Sequence, residues 1–117
     1  NMQATEFKIS LIGPSHSGKT RFVDRLVNRY GSGTPTLGVD VTIYQLDRKT
    51  RISFWDCAGD LNYQGLGKGY LQDSDLVIVF GNDPRFEEWV PPAMPWIRST
   101  STLLNDIRRV LVPRCNL

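Results

Sequence analysis

Cysteine, histidine and long apolar runs are all scarce in this chain. Its 117 residues hold two cysteines, Cys57 and Cys115, and one histidine, His16. Two cysteines so far apart make neither a disulfide framework nor a metal-ligand spacing. With so few thiolates and imidazoles, no protein-built zinc site is expected. The N-terminus has no basic-then-apolar signal segment, so reduced thiols inside a cell are the expectation. Asn1 ahead of Met2 reads as a tag remnant. The longest uninterrupted apolar run covers residues 76–80, a strand's length and far short of a membrane span. A net charge of +2 is too small to imply nucleic-acid binding. Cys115 is third from the C-terminus, where a prenylation box needs it fourth. No membrane anchor is therefore expected, and a soluble protein of the cytoplasm or nucleus is.

What is present is an ordinary soluble balance, 40% apolar and 22% charged. The length suits one domain over residues 1–117. Residues 7–12 alternate apolar and polar and run into Gly13, as a strand entering a glycine turn does. From Lys19 to Tyr30 the apolar positions Phe22, Val23, Leu26, Val27 and Tyr30 share one helical face, with Gly31 as the stop. Residues 31–38 form a loop by their Gly, Ser, Thr and Pro content. Residues 39–46 and 51–55 are strand patterns around a polar turn, which predicts a hairpin. Residues 56–69 are glycine-rich, with a short helix toward Leu71. The continuous β-branched run at 75–80 predicts a buried strand. Pro91, Pro92 and Pro95 make residues 84–95 irregular. Trp96, Ile97, Leu103, Leu104 and Ile107 predict a helical face, with Arg108 and Arg109 at its C-terminal end and a last strand at 110–112. Strands alternating with helices predict an α/β fold, a mostly parallel sheet with helices on both faces and a ligand at the C-terminal strand ends.

Three segments carry the chemistry. The first is GPSHSGKT, residues 13–20. Between a strand and a helix, this pattern is a phosphate-binding loop. Gly13 and Gly18 let the backbone wrap closely, so the N–H groups of Ser15, His16, Ser17 and their neighbours turn toward phosphate oxygens. Lys19 adds a point charge, and Thr20 offers a hydroxyl to magnesium. The second is WDCAGD, residues 55–60. Asp56 ends a strand on the loop's side of the sheet, where a carboxylate can hold a magnesium-bound water. Gly59 can present a backbone N–H to the terminal phosphate. The third is TPTLGVDV, residues 34–41, a threonine-bearing loop where a metal-closing segment would lie.

Together these segments resemble the Ras superfamily of small GTPases, most of all its Rab and Ran branches: PTLGVDV before a hairpin, then WDCAGD, then GLGKGYLQDSDLVIVF. The resemblance implies a P-loop fold that binds GTP or GDP with Mg²⁺. Thr20 and Thr36 would be magnesium ligands, with Asp56 acting through water. Lys19 would contact phosphate and Gly59 would sense its terminal group. The loops around Thr36 and Gly59 would be switches that order with triphosphate and loosen after hydrolysis, and so would meet regulators or effectors.

The chain departs from the family in several places. Where relatives carry a water-orienting Gln, it has Asp60, shorter and without the amide donor. Lys19 and Asp60 are the candidate catalytic residues, and Asp60 in place of Gln predicts slow hydrolysis. His16 replaces a small loop residue; it either crowds the terminal phosphate or an incoming arginine, or simply faces solvent from the loop. No NKxD motif follows the last predicted strand, only residues 113–117, which predicts reduced base selectivity. The family's last strand and helix are missing, and a sheet face left bare would be covered by a homodimer or another partner. The competing expectation is a non-catalytic mimic that sequesters regulators or effectors of a normal GTPase. A nucleotide kinase would need a basic lid, and none is present.

Overall fold

The computed structural model describes residues 5–28, 38–57 and 69–115. Its elements are β1 (Thr5–Ile12), α1 (Lys19–Leu26), β2 (Val39–Gln45), β3 (Thr50–Cys57), β4 (Leu76–Val79), α2 (Pro84–Glu87), β5 (Trp96–Arg98) and α3 (Leu103–Cys115). The strands form one sheet in the order β2-β3-β1-β4-β5. Only the β2–β3 hairpin is antiparallel; β1 runs parallel to β3 and β4, and β4 to β5. The predicted hairpin and the mostly parallel sheet are thus both present.

Side-chain alternation sends β1 to both faces. Phe7, Ile9 and Leu11 join Ile52, Phe54, Leu76 and Ile78 on one face, beneath Val23 of α1 and Leu103, Ile107 and Leu111 of α3. Ile12, Val77 and Val79 point the other way and pack with Leu71, Phe86 and Trp89. Each face is therefore roofed, which is why β4 is buried along its whole length.

Four expectations need correction. Residues 110–112 are helix, not strand, because Leu103, Ile107 and Leu111 recur every four residues and carry α3 along the core. Trp96 and Ile97 belong to a strand, not a helix: Val77 N–H donates to Pro95 O at 3.0 Å and Ser99 N–H to Val79 O at 2.9 Å. Helix α1 stops at Leu26, ahead of Gly31, because Asn28 takes the left-handed conformation (φ 54°) that asparagine tolerates. The irregular 84–95 stretch opens with α2, where Asp83 accepts from the Arg85 N–H and Pro84 takes the first turn.

The second of these locates the fifth strand earlier than expected, and the first removes the bare face. The face beside α1 is covered by α3 of the same chain. Ile107 is fully buried there, so Ile107→Ala is expected to lower unfolding free energy by about 2–5 kcal/mol. Urea denaturation measures it; a loss below about 0.5 kcal/mol, the scale of a surface change, would mean that α3 does not roof this face.

Candidate phosphate and metal site

The phosphate loop leaves the C-terminal end of β1 and enters α1. Gly13 sits at φ 147°, and a β-carbon there would lie 2.4 Å from the Phe80 carbonyl oxygen. Only glycine fits this approach, in which the loop rests on the end of β4. Phe80 N–H donates to Ile12 O at 2.8 Å and ties the same two strand ends together. The loop closes a turn through Ser17 N–H to Pro14 O at 3.2 Å. Gly18 then caps α1 in a left-handed conformation, and its carbonyl accepts from the Phe22 N–H at 2.9 Å.

Lys19 is buried, and its ammonium donates to the carbonyls of Gly13 at 2.7 Å and Pro14 at 2.9 Å. Desolvation holds its pKa below the usual lysine value, partly offset by the negative field of Asp56. A lysine that cups its own loop in this way has its charge at the loop's concave centre. Thr20 Oγ1 donates to Asp56 Oδ2 at 2.5 Å, across thirty-six positions of sequence. Asp56 is 2% exposed at the end of β3. Ser17 Oγ is buried with no hydrogen-bond partner, an orphaned hydroxyl inside the loop.

A hydroxyl and a carboxylate that meet beside a lysine are the hard oxygen donors that suit Mg²⁺, which binds through one or two protein oxygens plus phosphates and water. No cluster of three or more His, Cys, Asp or Glu forms among the described residues. Thr20 and Asp56 fit a magnesium ion; the chemistry it would supply is charge neutralisation on phosphate. Cys57 lies beside Asp56, but burial pushes its thiol up to about 12, so it stays neutral and unreactive.

The structure thus brings together Gly13, Ser15, His16, Ser17, Gly18, Lys19, Thr20 and Asp56. Thr36, Gly59 and Asp60 lie outside the described residues, and so do most of both predicted switch loops. His16 is exposed and left-handed (φ 65°), a conformation that costs a non-glycine residue about 1–2 kcal/mol.

Two supports were missed in the sequence. A β-carbon on Gly81 (φ 78°) would approach Pro14 Cδ to 3.3 Å, so this glycine lets the residue after Phe80 tuck under the loop. Arg98 at the end of β5 donates to the Gly81 carbonyl at 2.5 Å and pairs with Glu87. Glycine directly after an apolar strand was the available sign for the first; no local pattern marks the second. The position after the fifth strand, expected at residues 113–117, is held by Ser99, Thr100, Ser101 and Thr102. No NKxD motif stands there either. Instead Thr100 and Thr102 hydrogen-bond Asp106, which Arg109 also engages, in the first turns of α3.

A family model described as Ras of Complex, Roc, domain of DAPkinase matches residues 8–115. Among solved structures the chain is similar to the Arl6 (BBS3) small GTPase of Trypanosoma brucei with bound nucleotide analogue GppNp. That match has 23% identity and a TM-score of 0.54, and it covers 65% of this chain and 43% of the other. The likeness extends to the fold, and the chain spans less than half the length of that neighbour. No helix among the described residues is long and apolar enough to cross a membrane.

Proposed function

The chain belongs to the Roc family of Ras-like domains, and we propose that it is a single such domain that binds GTP or GDP with Mg²⁺ and hydrolyses GTP slowly. The observation that carries this reading is the 2.5 Å contact of Thr20 with buried Asp56 beside the loop-cupping Lys19. Lys19 transfers its hydrogen bonds from the Gly13 and Pro14 carbonyls to phosphate oxygens. Thr20 would hold the metal directly and Asp56 through water, while loop N–H groups would bind the remaining charge. Thr36 completes the metal site and Gly59 senses the terminal phosphate. The order of residues 35–41 and 55–60 supports a Rab- or Ran-like arrangement of those switches.

Asp60 accounts for slow turnover, since a carboxylate neither donates to an attacking water nor tolerates nearby phosphate charge. Asp60→Gln is expected to raise single-turnover GTP hydrolysis by about tenfold or more, within the range of one positioned group. An unchanged rate would place the defect at His16 or at the base site. Residues 99–102 offer hydroxyls in place of the guanine-reading carboxylate, so selectivity for guanine over adenine is weakened.

The mimic reading draws support from β2, where Val41 and Ile43 are 44% and 50% exposed. Such a surface suits regulators or effectors with or without nucleotide. A homodimer is not needed to cover the sheet face that α3 occupies, which leaves the two edge strands of the described sheet, β2 and β5, as its place. Nucleotide content tests the main reading: the protein is purified with magnesium, denatured, and its supernatant resolved by anion exchange. Guanine nucleotide near one equivalent supports it; none at all favours the mimic.

A further inference from the structure

The phosphate loop rests on the chain that leaves β4, and that chain is itself held. Gly81 follows Phe80 in a left-handed conformation (φ 78°), and a β-carbon on it would lie 3.3 Å from Pro14 Cδ and 3.6 Å from Ser17 Cβ. Both neighbours belong to the loop, and Ser17 Oγ is buried without a hydrogen-bond partner. The loop is therefore seated on Gly81 by fit and not through the Ser17 hydroxyl. The Pro14 carbonyl also accepts from both the Ser17 N–H and the Lys19 ammonium. A shift of Gly81 thus reaches the groups that shape the loop.

Arg98, the last residue of β5, holds Gly81 by its carbonyl. Its Nη1 donates to that oxygen at 2.5 Å, while its Nη2 pairs with Glu87, the last residue of α2. The guanidinium also lies 5.8 Å from the centre of the Trp96 ring, within cation–π reach. A charged donor makes a stronger bond to a carbonyl than a neutral one does. The planar fork lets one side chain serve two partners in fixed directions, which an ammonium cannot do. The Glu87 side chain is 36% exposed, so its ion pair aims the guanidinium more than it stabilises the fold.

We propose that Arg98 is a positioning residue for the phosphate loop. Aimed by Glu87, it keeps Gly81 against Pro14 and Ser17, and so keeps Lys19 and the loop N–H groups in the shape that receives phosphate. This rests on the reading of residues 13–20 as a nucleotide site. It also gives the end of β5 a task unrelated to the base. Arg98 directly precedes Ser99–Thr102, where a guanine-reading motif would stand, but its contacts lead to the phosphates. Its removal weakens every nucleoside diphosphate alike.

The test uses the full chain, ¹⁵N-labelled, as Arg98→Met, Arg98→Lys and Glu87→Gln. In magnesium, Arg98→Met is expected to weaken GDP and ADP by about tenfold each, the scale of one charged hydrogen bond. Arg98→Lys, which keeps a charged donor but not the fork, should recover part of that loss. Glu87→Gln, at a partly exposed residue that the fold tolerates, should cost about threefold, as a partly exposed ion pair does. Without nucleotide, the Ser17 amide should exchange with deuterium about tenfold faster in Arg98→Met as its bond to Pro14 loosens, while the β2–β3 hairpin amides keep parental rates. Unchanged Ser17 exchange would mean that Arg98 does not brace the loop. Equal acceleration in the hairpin would make it a general stabiliser, and a loss confined to GDP would make it a base contact. Each of these overturns the proposal. If the parent binds neither nucleotide, the nucleotide reading fails, and the Ser17 and hairpin rates decide the proposal by themselves.

Discussion

Gly13→Ala is expected to lower the melting temperature by about 10 °C or more. The new β-carbon would stand 2.4 Å from the Phe80 carbonyl oxygen and 3.0 Å from both the carbonyl carbon and Cβ of Phe80. Two of those three neighbours are backbone atoms at the end of a buried strand, so they do not move aside cheaply. Overpacking of this kind costs about 1–3 kcal/mol, and the unfavourable φ adds about 1–3 kcal/mol. For a chain of this size each kcal/mol is worth about 4–8 °C. Gly38→Ala is the control, because its φ of 82° is also unfavourable while nothing among the described residues lies within 4 Å. Thermal unfolding followed by circular dichroism should show the larger loss at Gly13. Equal losses would mean that the approach to Phe80 is not what demands glycine.

Lys19→Ala is expected to weaken GDP binding in magnesium by at least 10²-fold. The ammonium now makes two hydrogen bonds within the loop, and charged hydrogen bonds are worth about 1.5–3 kcal/mol each. Two of them transferred to phosphate correspond to roughly 10²- to 10⁴-fold in affinity. The nucleotide-free fold should change much less, since removing a desolvated cation relieves one cost while leaving two carbonyls without their donor. Titration with a fluorescent GDP analogue measures the first effect and thermal unfolding without nucleotide the second. Affinity within threefold of the parent would remove Lys19 from the site. Full cellular activity despite lost affinity would favour the mimic.

The loop, its flanking strand and helix, the hairpin and Asp56 were legible because each is written in a short local pattern. The pairing of Thr20 with Asp56 was legible only as a shared end of the sheet, since no periodicity reports a contact between residues so far apart. The later chain misled for a specific reason. Residues 110–112 form a short apolar run, which suits strand or buried helix equally, and the spacing of Leu103, Ile107 and Leu111 decides it. Reading Trp96 and Ile97 into that helix moved the fifth strand some fifteen residues too far. The base-reading position moved with it, from Ser99–Thr102 to the far end. The left-handed backbone at His16 and the Arg98 bond to Gly81 had no sequence signature at all. Thr36, Gly59 and Asp60 remain as the family resemblance has them.

The placement of α3 also sets an order of events for folding. Leu103, Ile107 and Leu111 share a core cluster with Phe7, Ile9 and Leu11 of the first strand. Their sequence separation is almost the full length of the chain. Such contacts reward the chain only after a large loop has closed, which slows folding. A ribosome-bound intermediate would have its phosphate loop, hairpin and β4 assembled while one side of β1 still faced water. In that interval a chaperone would meet the Phe7–Ile9–Leu11 stripe, and variants that weaken α3 would prolong its exposure. Failure to accumulate in cells can thus originate at Ile107 while the nucleotide chemistry of the finished protein stays intact.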